Sequence, residues 1–300
     1  LCVFYGLFMF YDGLLIYTNL SLFLNLSFIL FVLHVQDRLT LRNLFLTGIF
    51  LGVCTLAQAS IVLVGVFLMV WYIAQQRLRF RIALLKFLWF FLGVLIVIGA
   101  VTARNYAVGK DFVPLAGNVG MNFYVGNNSQ STGRFFCPDF FVRHQEGMFR
   151  DSRIVAEDKL QRRLKPSEVS AFWVRESLKY IKADPVGYAK LLGKKVMYLL
   201  SPDEYVQDLE YKFVRDSASV FHVTFMDLAF IMPLCLLGLC INLRNLRGTM
   251  PLYIILAAFS VSLLVFMITT RYRIVMVPFM AIMAASALMS IKKALGQRHF

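Results

Sequence analysis

The sequence is short of charge. Asp, Glu, Lys and Arg make up 16% of its 300 residues, against about 25% in soluble globular domains, and the shortage excludes a water-soluble globule of ordinary composition. Cysteine is scarce too, with five in all, and Cys2, Cys54, Cys235 and Cys240 fall in apolar stretches. Cys137 alone lies in polar sequence, so an internally disulfide-stapled secreted scaffold is excluded. The four histidines, His34, His144, His222 and His299, are scattered. No zinc-ligand spacing, Gly-rich nucleotide phosphate loop or Ser/His/Asp ordering occurs, which leaves a soluble nucleotide-sugar enzyme without support.

Apolar residues make up 59% of the chain, and its mean hydropathy is +0.68. Such a chain is neither disordered nor collagen-like; it reads as a mainly α, multi-pass membrane protein. Acidic residues number 17 against 31 basic ones, a net charge of +14. On a soluble protein that surplus would raise nucleic acid as a partner. Its position argues instead for membrane topology. Eleven of the cations sit in four short stretches: Arg38 and Arg42; Arg77, Arg79, Arg81 and Lys86; Arg244 and Arg247; Lys292, Lys293 and Arg298. Short basic loops between apolar spans stay on the cytoplasmic side, so no nucleic-acid partner is expected.

A helical crossing takes about 20 apolar residues, fewer where polar anchors snorkel. Eight candidate spans follow: Leu1 to Tyr17, Asn19 to Val35, Leu44 to Ala57, Ile61 to Ala74, Phe87 to Thr102, Val220 to Leu243, Met250 to Thr269 and Ile274 to Ile291. The two around Gln58 are short enough for a tight or re-entrant hairpin. With the basic loops inside, the turns near Thr18, Gln58 to Ser60 and Thr270 to Arg273 come out on the far side, together with the polar segment. The organisation is five spans in 1–103, an extracytoplasmic domain in 104–219 and three spans in 220–300. The chain opens inside an apolar segment without Met or a secretory signal, so further residues are expected before Leu1.

The polar segment carries 18 Lys and Arg against 14 Asp and Glu over residues 104–218. Its first third, through Cys137-Pro138, is rich in Gly, Asn and aromatics and predicts loops and short strands. The rest predicts helix, giving an inserted α+β domain. Pro166 suits a first helical turn, followed by Val169, Phe172, Trp173, Glu176 and Tyr180 at helical spacing. Asp184-Pro185 reads as a cap and first-turn proline of a second helix through Leu200.

Hydrophilic residues at the outer edge of the bilayer are the ones that carry chemistry, because charge in lipid is costly. Arg271-Tyr272-Arg273, wedged between apolar spans, offers two guanidiniums that can clamp a phosphate at headgroup depth or anchor to headgroups and acidic loop residues. Asp12, in the first span, can act as a general base, a metal ligand or a salt-bridge partner; Asp227 is equally ambiguous. Arg104-Asn105-Tyr106 follows the fifth span. The run Gly120 to Asn128, with Asn122, Tyr124, Asn127 and Asn128, has the glycines and amides that hold a sugar or phosphate, and equally those of a structural loop. Asn127-Asn128-Ser129 also fits the glycosylation pattern. Pro202-Asp203-Glu204-Tyr205 either faces the same site through Glu204 or is a solvated turn.

Taken in order, several of these residues resemble the GT-C membrane glycosyltransferases, in the branch of the protein O-mannosyltransferases and the lipid A aminoarabinose transferase. The likeness rests on Asp12-Gly13-Leu14-Leu15 leading into Leu20 to Phe23, Thr47-Gly48 with Gly52 and Leu56, and Arg104-Asn105-Tyr106. It continues through Gly120 to Asn128 with Gly133, Pro166-Ser167-Glu168, Asp184-Pro185, and Arg271-Tyr272-Arg273 with Pro278. The resemblance implies an enzyme of the bacterial inner membrane that takes a sugar from a polyprenyl-phosphate carrier and gives it to a lipid, glycan or protein acceptor on the outer face, inverting the anomeric carbon. It implies lipid-phosphate contacts from Arg271, Tyr272, Arg273 and Arg104, and substrate contacts from Asn105, Asn122, Tyr124, Asn127, Asn128 and Glu204. Asp12 is the candidate catalytic carboxylate within this sequence. The principal base and any divalent cation are expected in a loop before Leu1, and no metal ligand is assigned here. Two positions depart from the family pattern: Thr18-Asn19, where an acid is usual, and Gln58-Ala59, where Arg-Pro is usual. Other classes open to the same composition are a polymerase or ligase of lipid-linked glycans and a transporter or scaffold.

Overall fold

The computed structural model describes residues 2–14, 16–141, 145–205, 211–217 and 226–296. Leu15, the start of the span expected at Val220, three of the histidines (His144, His222 and His299) and Arg298 lie outside them. Fourteen helices are described: α1 (Gly6–Asp12), α2 (Thr18–Val35), α3 (Leu41–Ala57), α4 (Ile61–Gln75), α5 (Phe80–Gly109), α6 (Val119–Gly126), α7 (Gln145–Leu160), α8 (Pro166–Ala183), α9 (Pro185–Leu200), α10 (Tyr211–Ser217), α11 (Leu228–Asn242), α12 (Leu246–Val265), α13 (Thr270–Arg273) and α14 (Val277–Gly296).

Five stretches are long and apolar enough to cross a membrane: Thr18–Val35, Phe80–Gly109, Leu228–Asn245, Gly248–Val265 and Thr270–Leu295. This is fewer than the eight expected. α3 and α4, at 17 and 15 residues, fall short of a full crossing, about 30 Å of hydrocarbon at 1.5 Å per residue. They form a hairpin whose turn is held by a bond from the Asn25 side-chain amide to Gln58 Oε1, 3.4 Å. The first expected span is not a span. A 3-10 turn, Cys2–Phe4, leads into α1, which has only seven residues. The segment docks on the bundle instead: Met226 N donates to Phe4 O at 3.1 Å, and Tyr5 is 2% exposed. Hydropathy sees apolar residues but not whether lipid or protein covers them.

α5 shows the lipid case. Only 17% of its apolar window is buried, with Phe80, Leu88, Trp89 and Ile96 among its exposed side chains; such a surface needs a non-aqueous neighbour. Its protein face crosses α3 closely, since a Cβ on Gly48 would collide with Phe90 O and one on Gly93 with Phe45 O. Small residues at such crossings let apolar backbones approach where lipid removes the hydrophobic drive for association.

The expected α+β insertion is corrected: among the described residues its regular structure is helical, with loops at 110–118 and 127–141, and the two isolated bridges, Tyr5 with Met226 and Arg134 with Ile268, form no sheet. α5 itself runs on through Gly109. The Gly/Asn run misled because its glycines serve packing. Gly120 sits against Ser170 O of α8, and Gly126 against Phe266 O. The amides of Asn127 and Asn128 bond back to Phe123 O and Tyr124 O, one turn earlier. α8 and α9 form as their sequence predicts, with Val169, Phe172 and Trp173 buried and Asp184 accepting from Gly187 N at 2.8 Å. Trp173 centres a second core with Met121, Val125 and Phe141.

The close crossing gives a test. Gly93→Ala is expected to lower stability in detergent by about 1–3 kcal/mol through overpacking. Gly99→Ala on the same helix, where nothing lies within 4 Å, should be neutral or slightly stabilising. Equal unfolding temperatures for the two variants would contradict the crossing.

Candidate functional site

Polar groups gather where the helical domain meets the bundle, at the turn between α12 and α14. Four last-turn carbonyls of any helix lack internal partners, and here two helix ends fall together away from water. α9 is closed by Arg273, which is 2% exposed. Its Nη1 donates to Ser201 O at 2.8 Å, Tyr198 O at 3.1 Å and Leu199 O at 3.4 Å. Its Nη2 donates to Asp203 O at 2.6 Å and Glu204 Oε2 at 2.9 Å. The second oxygen of Glu204 accepts from the Tyr5 hydroxyl at 2.9 Å, and Oε2 also accepts from Thr270 Oγ1 at 2.9 Å. Arg273 and Glu204 are therefore committed to protein partners, not presented to a ligand.

α12 is closed from the other side by Lys195 of α9, which is fully buried. Its Nζ donates to Phe266 O at 2.7 Å, Leu264 O at 3.0 Å and Asn127 Oδ1 at 2.9 Å. The Asn127 amide reaches Val265 O at 2.9 Å. Asn127 is fully enclosed, so in this fold it is neither a substrate contact nor a glycosylation acceptor. Burial without a carboxylate partner pushes the Lys195 ammonium down to about 8, because desolvation disfavours the charged form.

Arg271 has a different setting from Arg273. Residues two apart on a helical turn do not share a face, so α13 sends the two guanidiniums in different directions. Arg271 lies over the Tyr17 ring, 4.1 Å from its centroid, at the entrance to α2. Nearby in sequence, Asp12 is exposed at the end of α1 and accepts from the Asn19 amide at 2.7 Å. The departure at Asn19 thus supplies a neutral hydrogen bond to Asp12. Tyr272 is half-buried against the bundle core.

The remaining sequence candidates sit elsewhere or serve the fold. Arg104 is exposed on α5 and bonds Asn105 Oδ1 at 3.3 Å, while the Asn105 amide holds Val113 O at 2.9 Å. Asn122 is half-buried on α6. Tyr124 packs on Trp173, with ring centroids 4.5 Å apart, and burial raises its hydroxyl pKa. Asn128 Oδ1 accepts from Gln130 N at 2.8 Å, and Asp227 caps α11 by accepting from Phe230 N at 3.2 Å. No three His, Cys, Asp or Glu side chains come together among the described residues, and both oxygens of Glu204 are taken.

Sequence reasoning passed over Lys195, Tyr5 and Arg134. Arg134 is exposed and sits over the rings of Tyr198 and Tyr205, at 5.9 and 5.6 Å; its backbone pairs with Ile268, two residues before the Thr270 turn. Only Gly133, whose φ is +93°, hinted at a special conformation there. Two hollows flank this region. A cleft of about 350 Å³ lies in the helical domain, walled by Met121, Phe149, Val169 and Trp173 with Asn118 and Arg153 on its lining. A smaller apolar one, about 80 Å³, lies among Leu199, Met232, Leu236, Leu256 and Met280, with Arg273 on its lining.

No protein-family model matches the chain, and comparison with curated proteins and with solved structures gives no match.

Lys195 yields a pH dependence. Its pKa is about 8 folded and about 10.4 in an unfolded chain, so between these values the unfolded state binds more protons and stability rises with pH. Below pH 8 both states are protonated and this contribution is flat. Lys195→Met strands three acceptors and should lower stability by at least about 2 kcal/mol. Unfolding free energies measured from pH 7 to 10.5 should show the wild-type advantage over that variant growing with pH; a shrinking advantage would contradict the burial of a cation here.

Proposed function

We propose that the protein is an integral-membrane glycosyltransferase of the GT-C type, moving a sugar from a polyprenyl-phosphate carrier to a lipid, glycan or protein acceptor. We place the helical domain on the extracytoplasmic side of a bacterial inner membrane, on the strength of the basic loops at the opposite ends of the spans. The observation that carries the reading is Arg271: a permanent cation on the face of Tyr17, at the turn where apolar helices meet a polar domain. A lipid-borne phosphate would sit at that depth. Its departure develops negative charge, and a preorganised guanidinium stabilises that charge more in the transition state than in the ground state.

The roles within the rim divide unequally. Arg271 takes the phosphate, and Arg273 acts as a positioning residue by fixing the turn that carries it. Asp12 is assigned the acceptor hydroxyl proton. Of Asp12, Asp203, Glu204 and Asp227, it is the one whose hydrogen bond in the structure comes from a side-chain amide alone. The Asn19 amide orients one oxygen and leaves a geometry in which the other can face an acceptor. Arg134, on its tyrosine corner, adds positive field to the same turn.

A second reading, a non-catalytic membrane scaffold, is favoured by a specific observation. Arg273, Glu204, Lys195 and Asn127 all spend their hydrogen bonds on the protein. Turnover in proteoliposomes separates the readings, using labelled polyprenyl-phosphate and polyprenyl-pyrophosphate sugars as alternative donors. Turnover of the monophosphate donor is expected. Arg271→Ala should lower it by about 10²-fold in protein that still folds, whereas Arg273→Ala should lower stability by about 3–5 kcal/mol, as breaking a buried pair does. No turnover with either donor would sink the transferase reading, and turnover of the pyrophosphate donor alone would point to a polymerase or ligase.

A further inference from the structure

α9 has two faces of different kinds. Leu191, Lys195 and Leu199 are buried against the protein. The opposite side carries Val186, Ala189, Gly193, Val196, Met197 and Leu200, all exposed, at the i, i+3, i+7, i+10/11, i+14 positions of one helical stripe. Met197 is 70% exposed and Val186 64%, which is unusual for apolar residues on a helix tied firmly to its protein. Lys190 and Lys194, both exposed, flank the stripe on one edge.

We propose that this face of α9 is a membrane-surface anchor that lies obliquely in the bilayer leaflet at the domain end and selects anionic phospholipid headgroups. Two observations identify the occupant. The first is continuity with the lipid-facing surface: Leu200, at the end of the stripe, lines the same hollow as Leu236 and Leu239 of α11, well below the start of that helix at Leu228. Lys195 holds α9 in this position through the end of α12. The second is charge: lysines beside an apolar stripe extend their ammonium groups to headgroup level while their stems stay in the apolar layer. The C-terminal end of α9 is the deeper one. The inference needs only a membrane protein and does not rest on the transferase reading.

Depth-dependent quenching tests it in full-length protein reconstituted into vesicles, with Cys2, Cys54, Cys137, Cys235 and Cys240 replaced. A bimane probe on Met197→Cys should be quenched several-fold more by mid-chain nitroxide phosphatidylcholine than by aqueous iodide. A probe on Val186→Cys should show a shallower position, and one on buried Leu191→Cys should be shielded from both, which checks folding. With probe position 197, nitroxide phosphatidylglycerol should quench more than the choline lipid, and Lys190→Gln with Lys194→Gln should reduce that preference by about fivefold per lysine. Iodide quenching at 197 as strong as in unfolded protein would overturn the proposal. So would efficient oxidation of Met197→Cys protein to a disulfide dimer, which would assign the face to a second copy.

Discussion

Reciprocal closure of two helix ends is the interaction on which the arrangement depends. α9 and α12 terminate beside each other, and each donates the group that the other lacks. Lys195, on α9, satisfies the carbonyls at the end of α12; Arg273, beyond α12, satisfies those at the end of α9. In a water-poor setting an unpaired carbonyl costs several kcal/mol, so neither helix can end where it does without the other. Cations suit helix C-termini because the macrodipole leaves negative potential there. The helical domain is thereby joined to the bundle through backbone groups, which no side-chain substitution can remove, and through two long cations, which one substitution each can.

That closure also decides which charges are available at the rim. A guanidinium bonded to four carbonyls and a carboxylate has its in-plane donors engaged. One stacked on an aromatic ring makes that contact with its face, and its N–H donors lie in the plane at right angles to it. Arg273 is of the first kind and Arg134 of the second, and Arg271 also has a ring against its face. Among the described residues Arg134 makes no ion pair. Asp203, on the same corner, is turned instead to the hydroxyls of Ser201 and Tyr205, at 3.0 and 3.3 Å.

Helix positions were legible where periodicity and caps agree. α2, α4, α8 and α9 lie within a few residues of their expected bounds because apolar spacing, Pro166 and the Asp184-Pro185 cap are local signals. The polar character of the α12–α14 turn was legible as well. The partners of its residues were not, since Arg273 meets groups some seventy residues away in the chain and Lys195 reads as one of many surface lysines. Glycine and asparagine misled most. In Gly120 to Asn128 they mark close backbone approach and side-chain bonds to the preceding turn, yet composition alone assigns both to loops. The first span failed for a related reason: covering Tyr5 and Leu7 with protein leaves the same apolar sequence as covering them with lipid.

α9 links these features mechanically. Its buried face supplies the lysine that closes α12, and its end receives the arginine that sets the α13 turn, so any tilt of α9 moves two sets of carbonyl bonds at once. Packed interiors respond to such displacement by switching between discrete arrangements, not by bending smoothly. Arg271 follows that turn, and Arg134 follows α9 through Tyr198. The seat of one amphipathic helix therefore bears on both guanidiniums, on Arg134 through Tyr198 and on Arg271 through the turn that Arg273 fixes.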